Sequence, residues 1–307
     1  MISLLLFKQI AQLFLAMLVG FCLVRCGLLK PKDSRVLSVV ALYASTPCVI
    51  IKSFQMECTP EMLRSLALSL GSAVLIHLVM FLLVYLLRRP LRLHPVEQAS
   101  VVYSNANNLI IPIVSAILGS QWLIYINMFV IVQLPLLWSH CRILLSGERT
   151  VSVRKILLNV NILSILLGGA LFFLGISLPP VITGTMTSIG NMLGTLSMLV
   201  AGMLMGGVDF RRLFTSLGIW KAAFLRLVAV PLVVLVLLKY SGLARLVPDG
   251  ETILLVSFLS AITPSASAVT QIAQVYSSDG EYAGSINVVT TLLCIVTMPL
   301  IIALYQL

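Results

Sequence analysis

Along the chain, apolar runs about twenty residues long alternate with short polar breaks that hold most of the charge. A bilayer core about 30 Å thick takes about 20 apolar residues in a helix. Runs of that length fall at about 3–24, 34–54, 64–87, 97–119, 121–144, 156–174, 181–206, 216–238, 251–275 and 282–304. They are apolar all round and do not alternate, which fits helices and not the strands of a membrane barrel. Lipid offers no water to open backbone groups. The pattern therefore predicts an all-α membrane protein with ten transmembrane helices. The run ending at Val24 lacks a basic n-region and an A-x-A cleavage site, so it is read as a first span and not as a signal peptide.

Composition agrees with this reading. The chain is 60% hydrophobic and 10% charged, with a mean hydropathy of +1.10, whereas a soluble domain carries roughly 25% charged residues. The net charge of +10 is spread over loops and forms no patch, so no nucleic-acid partner is expected. Its distribution is a topology signal. Fifteen of the 20 basic residues follow spans 1, 3, 5 and 7: Arg25, Lys30, Lys32, Arg35; Arg88, Arg89, Arg92; Arg142, Arg149, Arg154, Lys155; and Arg211, Arg212, Lys221, Arg226. Lys8, Lys52, Arg64, Lys239 and Arg245 fall on the opposite side. The positive-inside rule puts the odd-numbered loops in the cytoplasm and both termini outside the cytoplasmic (inner) membrane. Cys22, Cys26, Cys48, Cys58, Cys141 and Cys294 form no CxxC or zinc spacing and read as small packing residues. No metal or cofactor is expected.

The two halves of the chain echo one another. Gly20, Gly27 and Pro31 around the end of span 1 match Gly168, Gly175 and Pro179 around the end of span 6, all at an offset of 148. Glu97 and Pro112 in span 4 match Glu251 and Pro264 in span 9, at offsets of 154 and 152. These positions suggest two five-helix repeats, 1–145 and 156–307, joined by a cytoplasmic linker at 146–155. Five is odd, so the second repeat is inverted. Inverted repeats are a transporter architecture, with the substrate site near the midplane on discontinuous helices.

Span 4 carries "YSNANNLIIP" at its centre and span 9 carries "SAITPSASAVTQ". Proline in a helix interior removes a hydrogen bond and clashes with the preceding turn, and it suits the first position of a new helix. Each span is thus predicted to be two half-helices with an unwound link. Asn105, Asn107 and Asn108, with Thr263, Ser265 and Ser267, are expected to cap freed backbone groups and face a cavity, where half-helix N-termini favour an anion. Pro135, Pro231 and Pro299 read as simple kinks.

At these residues the sequence resembles a known family. "YSNANNLIIPIVSAILG", the "STP" of Ser45–Pro47, "LRLVAVP" and "SAITPSASAV" are similar to the auxin efflux carriers, in their bacterial malate/malonate-permease-like branch. The resemblance spans nearly the whole chain. It implies a scaffold and dimerisation domain from helices 1, 2, 6 and 7, and hence a homodimer. It implies a transport domain from helices 3–5 and 8–10, whose broken helices 4 and 9 cross and which moves as an elevator. The family's crossover site uses an asparagine and a proline in helix 4, a stretch held here by Asn107, Asn108 and Pro112; with the polar residues of both breaks and the "STP" motif, the candidate carboxylate site is Asn105, Asn107, Asn108, Pro112, Thr263, Pro264, Ser265 and Ser267, with Thr46 and Pro47. Where plant members often have an asparagine in the second break, this chain has Thr263 and Ser265.

Other residues carry two readings each. The stripe Gly190, Gly194, Gly202 and Gly206 lets helices approach closely, within the chain or at a dimer seam. His77 could relay protons or hydrogen-bond a neighbour. Arg226 could attract an anion or reach the cytoplasmic face with its stem buried. No Asp or Glu lies deep in a span. An anion channel is the rival function, since broken helices also build pores. An intramembrane enzyme is not expected: there is no HExxH or GxSxG, and His77, His94 and His140 are far apart in sequence.

Overall fold

The computed structural model describes residues 2–147, 154, 157–208, 216–276 and 279–306, with the main chain alone for residues 2–7, 10, 107 and 108. Most of the linker at 146–155, including Arg149 and Lys155, lies outside the described residues, as do Arg211 and Arg212. The regular elements among them are helices: α1 (Ile2–Arg25), α2 (Pro31–Ser53), α3 (Pro60–Leu87), α4 (Pro95–Val102), α5 (106–117), α6 (Ser120–Ser146), α7 (Val160–Leu174), α8 (Pro180–Gly206), α9 (Leu217–Tyr240), α10 (Gly250–Ala261), α11 (Ser267–Tyr276) and α12 (Gly280–Gln306). Six of them (α2, α3, α6, α8, α9 and α12) are long and apolar enough to cross a membrane. The fourth and ninth predicted spans are each two short helices, α4 with α5 and α10 with α11.

One matched pair of glycines plays the same local part in the two halves. Gly27 and Gly175 both have positive φ, 75° and 65°. Each ends its helix with the paired bonds of a Schellman turn. Leu28 N donates to Leu23 O and Gly27 N to Val24 O; Ile176 N donates to Leu171 O and Gly175 N to Phe172 O. A residue with a Cβ pays a steric penalty at that φ, which is why glycine stands there. Pro31 opens α2, while Pro179 caps α8 directly before Pro180.

Three prolines inside helices follow a wider turn instead of making a simple kink, whereas Pro299 lies within α12 with no such turn. The π-helical turns Ala41–Ser45, Ala106–Ile110 and Leu225–Ala229 each end two residues before a proline: Pro47, Pro112 and Pro231. Proline has no N–H for the carbonyl four residues back, and that carbonyl lies inside the π turn. Pro135 differs, with its π turn Leu137–Cys141 following it. The kink expected at Pro231 is therefore a π turn, and Arg226 stands in it.

Helix α8 packs along α1 and also against α2, and α2 packs on α7. The glycine stripe makes these contacts within the chain. A Cβ at Gly202 would fall on the Met17 carbonyl, at Gly206 on the Val24 side chain, and at Gly190 on Val49. The other helices form a second cluster, in which α3 packs on α6 and α10, α9 on α12, and α11 on α12. The two groups meet where α12 and α5 touch α1, and where Gly194 of α8 lets Pro112 of α5 approach. Asn127 of α6 also donates to Ser53 Oγ of α2.

Contacts between helix ends sort the loops. At one end His94 lies 3.8 Å from Asp279, Lys221 Nζ donates to Leu91 O at 3.1 Å, and the Arg142 guanidinium covers the Tyr276 ring. At another, Leu178 N donates to Gln55 Oε1 and Tyr125 OH donates to Met62 Sδ. Arg88, Arg89, Arg92, Arg142 and Lys221 thus belong to one end of the bundle. Leu82, Leu86, Leu166, Leu167, Phe173, Val236, Val296 and Leu300 are exposed, as suits a lipid-facing surface. Among the cysteines, Cys141 and Cys294 are buried as expected, but Cys22, Cys26 and Cys58 are exposed and do not pack the interior.

Candidate functional site

Two unwound links meet inside the second cluster. The first is Tyr103–Asn105, between α4 and α5; the second is Ile262–Ala266, between α10 and α11. They pair as a single antiparallel bridge, Ser104 with Ser265. Asn105 N donates to Pro264 O at 3.0 Å, and Ala266 N donates to Tyr103 O at 2.9 Å. An unpaired buried backbone group costs about as much as a lost hydrogen bond, so each link supplies what the other lacks.

Polar side chains from α6 and α12 complete the arrangement. Gln133 holds Ser104 from three sides. Its Oε1 accepts from Ser104 N at 3.0 Å and from Ser104 Oγ at 2.6 Å, while its Nε2 donates to Ser104 O at 2.8 Å. On the other link, Asn287 Nδ2 donates to Ser265 O at 2.6 Å, and Thr290 Oγ1 accepts from Ser265 N at 3.2 Å. These residues were not singled out from the sequence. The available signal was polarity: Gln133 and Asn287 are amides inside apolar runs, where polar side chains face protein and not lipid.

The four half-helices then present two kinds of end to the crossing. α4 and α10 arrive with their C-termini, the negative ends of their dipoles. Arg226, which is 0% exposed, covers both. Its Nη1 donates to Val101 O at 2.9 Å and to Val102 O at 3.5 Å, its Nη2 to Ala261 O at 2.6 Å, and its Nε to Thr263 O at 2.8 Å. Of the two roles open to Arg226 in the sequence, neither describes this placement: the guanidinium neither reaches the surface nor lies open to a ligand, but caps two helices. α5 and α11 leave the crossing with their N-termini, whose first N–H groups have no acceptor within the helix.

The predicted site residues divide accordingly. Asn105, Pro264 and Ser265 are in the links. Asn105 is the N-cap of α5 but makes no capping bond through its side chain. Asn107 and Asn108 are in the first turn of α5; their side chains lie outside the described atoms. Ser267 opens α11. Thr263 is buried, and its hydroxyl turns back to Ser260 O at 3.3 Å. The Ser265 hydroxyl is buried with no hydrogen-bond partner among the described residues. Pro112 faces α8 and not the links. Thr46 is bonded within α2, to Ala41 O at 2.8 Å, beside Pro47. His77 bonds Ala73 O through Nδ1 at 2.7 Å and packs on Phe129, while its Nε2 has no partner among the described residues.

A buried carboxylate stands at the far end of α4. Glu97 accepts from Tyr282 OH at 2.6 Å and from His94 N at 3.1 Å, with Lys221 Nζ 3.8 Å away. It ties the starts of α4, α9 and α12 together. The sequence marked it only as a helix opener.

A family model described as membrane transport protein matches the chain in two repeats, residues 5–152 and 147–302. No curated protein matches it.

Proposed function

The chain belongs to the membrane transport protein (auxin efflux carrier) family, and on that premise we propose that it is a secondary transporter for a small organic carboxylate. The supporting observation is an asymmetry at the crossing. The C-terminal ends of α4 and α10 have the chain's own cation, Arg226. The N-terminal ends of α5 and α11 have no such counterpart among the described residues, where the one buried carboxylate, Glu97, is engaged by Tyr282, His94 N and Lys221. Helix N-termini favour anions, so the place that remains is one for a negatively charged group. Asn105, Asn107, Asn108, Ser265 and Ser267 are the neutral donors that this reading assigns to it, and the unpartnered Ser265 hydroxyl is a hydrogen bond open to a ligand.

In this reading the chain is ten transmembrane helices in two inverted five-helix repeats, with α4–α5 and α10–α11 each counted as one broken span. The odd-numbered loops are cytoplasmic and both termini outside, in the cytoplasmic membrane. Helices α1, α2, α7 and α8 form the scaffold, and the other helices form the transport domain. The transport domain slides as an elevator along the interface where Pro112 meets Gly194. A homodimer would use the lipid-facing side of the scaffold, because the glycine stripe is engaged within the chain. The substrate is expected among mono- and dicarboxylates of the malate and malonate kind.

The test is uptake into proteoliposomes with a panel of such acids. Saturable uptake that is accelerated by the same acid preloaded inside supports a carrier. Uptake that never saturates and shows no counterflow supports the anion-channel reading instead.

A further inference from the structure

A fully buried arginine is costly unless its charge and donors are matched, so its partners define its part. The oxygens that Arg226 donates to are main-chain carbonyls: Val101 and Val102 at the end of α4, Ala261 at the end of α10, and Thr263 in the link. Its one side-chain hydrogen bond among the described residues is to Met80 Sδ at 3.7 Å. No carboxylate takes part. Glu97, the only buried carboxylate among the described residues, is occupied by Tyr282, His94 N and Lys221.

In discontinuous membrane helices, unwound carbonyls and half-helix C-termini are the groups that coordinate coupling Na⁺ or H⁺. Here the same class of group is taken by a side chain. We infer that Arg226 is the resident cation of the crossing: its guanidinium fills the carbonyl set that a coupling Na⁺ would otherwise occupy, so the crossing holds no Na⁺ site. Arginine is not deprotonated in proteins, so this cation is permanent and is not exchanged in the transport cycle. Its planar fork also suits the task, since one group reaches carbonyls of two different helices. A second cation among those oxygens would meet the guanidinium's charge.

The inference rests on the transporter reading for its meaning, but its test does not. Anything that binds the folded state alone raises apparent stability. The purified full-length protein is unfolded thermally in NaCl and in choline chloride at equal ionic strength. The wild type is expected to melt at the same temperature in both. Arg226→Met keeps the stem and removes the charge. It is expected to melt lower than the wild type in choline and to recover part of the loss in Na⁺, because the vacated carbonyls then accept an ion. A saturable, Na⁺-specific rise in the wild-type melting temperature would overturn the inference, and so would an Arg226→Met variant that gains nothing from Na⁺. Should that variant fail to fold, Arg226→Lys replaces it: the ammonium keeps the site filled, and a Na⁺-specific rise there would overturn the inference. If no organic anion is taken up by reconstituted wild type, the transporter reading fails while the melting result still decides the cation assignment.

Discussion

Ser104 and Ser265, from opposite halves of the chain, pair antiparallel at the point where two helices come apart. The pairing explains how a protein surrounded by lipid keeps unwound backbone in its interior. Each link accepts and donates one bond to the other, and Gln133, Asn287 and Thr290 take up groups that remain. Irregular backbone at membrane depth is tolerated only where protein or a cavity satisfies it. A rigid crossing is also what a binding site needs, because donors held in place lose little entropy when a ligand arrives.

Gln133→Leu should destabilise the protein by about 2–6 kcal/mol, since it strands a buried N–H and a buried C=O of Ser104, each costing about 1–3 kcal/mol. Thermal unfolding of the purified variant measures this. Leu82→Ala, at an exposed position, serves as the comparison and should melt close to wild type. Equal melting of the Gln133 variant and wild type would mean that the links do not depend on that amide.

Two glycines of α8 should respond to alanine with opposite signs. At Gly202 a Cβ falls on the Met17 carbonyl and close to Phe21 N, so Gly202→Ala must push α1 and α8 apart, costing about 1–3 kcal/mol or more. Gly184 has nothing within 4 Å of its would-be Cβ. Gly184→Ala should stabilise by about 0.5–1 kcal/mol, the usual gain on removing a glycine from a helix interior. Melting temperatures that move together would contradict the packing described.

The sidedness of the loops is open to thiol labelling. On a background without the native cysteines, Arg89→Cys should resist an impermeant maleimide in intact cells and react once the cells are opened. Arg245→Cys should react from outside. Both positions are exposed, so burial does not confuse the result. Reaction of the Arg89 variant from outside would reverse the proposed orientation.

The long helices were legible because lipid imposes one length and one composition on a span. The second link was legible as well: Pro264 and its small polar neighbours lie in the unwound stretch 262–266. In the fourth span the sequence pointed to the asparagines, yet the unwound residues are Tyr103–Asn105, and Asn107 and Asn108 begin the next helix. The reason is physical. Main-chain pairing with Pro264 and Ala266, together with the Gln133 amide, fixes where the chain unwinds, and the π turn at Ala106–Ile110 absorbs the bond that Pro112 cannot make. Those partners are far away in sequence. The role of Arg226 was hidden for the same reason: its acceptors are carbonyls of two other helices, which no side-chain pattern announces. The glycine stripe announced close approach but not which helix approaches.

The most direct test of the account is anion uptake by reconstituted, monodisperse Asn108→Asp and Asn108→Leu variants beside wild type. The main chain of Asn108 lies in the first turn of α5, at the helix end that faces the crossing. Aspartate changes the size little but adds a negative charge. At about 4 Å from a bound carboxylate and an effective dielectric near 20, the repulsion is about 4 kcal/mol, a roughly thousandfold loss of affinity. The helix dipole stabilises the new carboxylate, so the variant should still fold. Asn108→Leu removes the amide without adding charge and should cost less, about 1–3 kcal/mol. The account predicts uptake nearly abolished in Asn108→Asp and reduced but measurable in Asn108→Leu. Near-normal uptake by Asn108→Asp would contradict an anion site at the crossing.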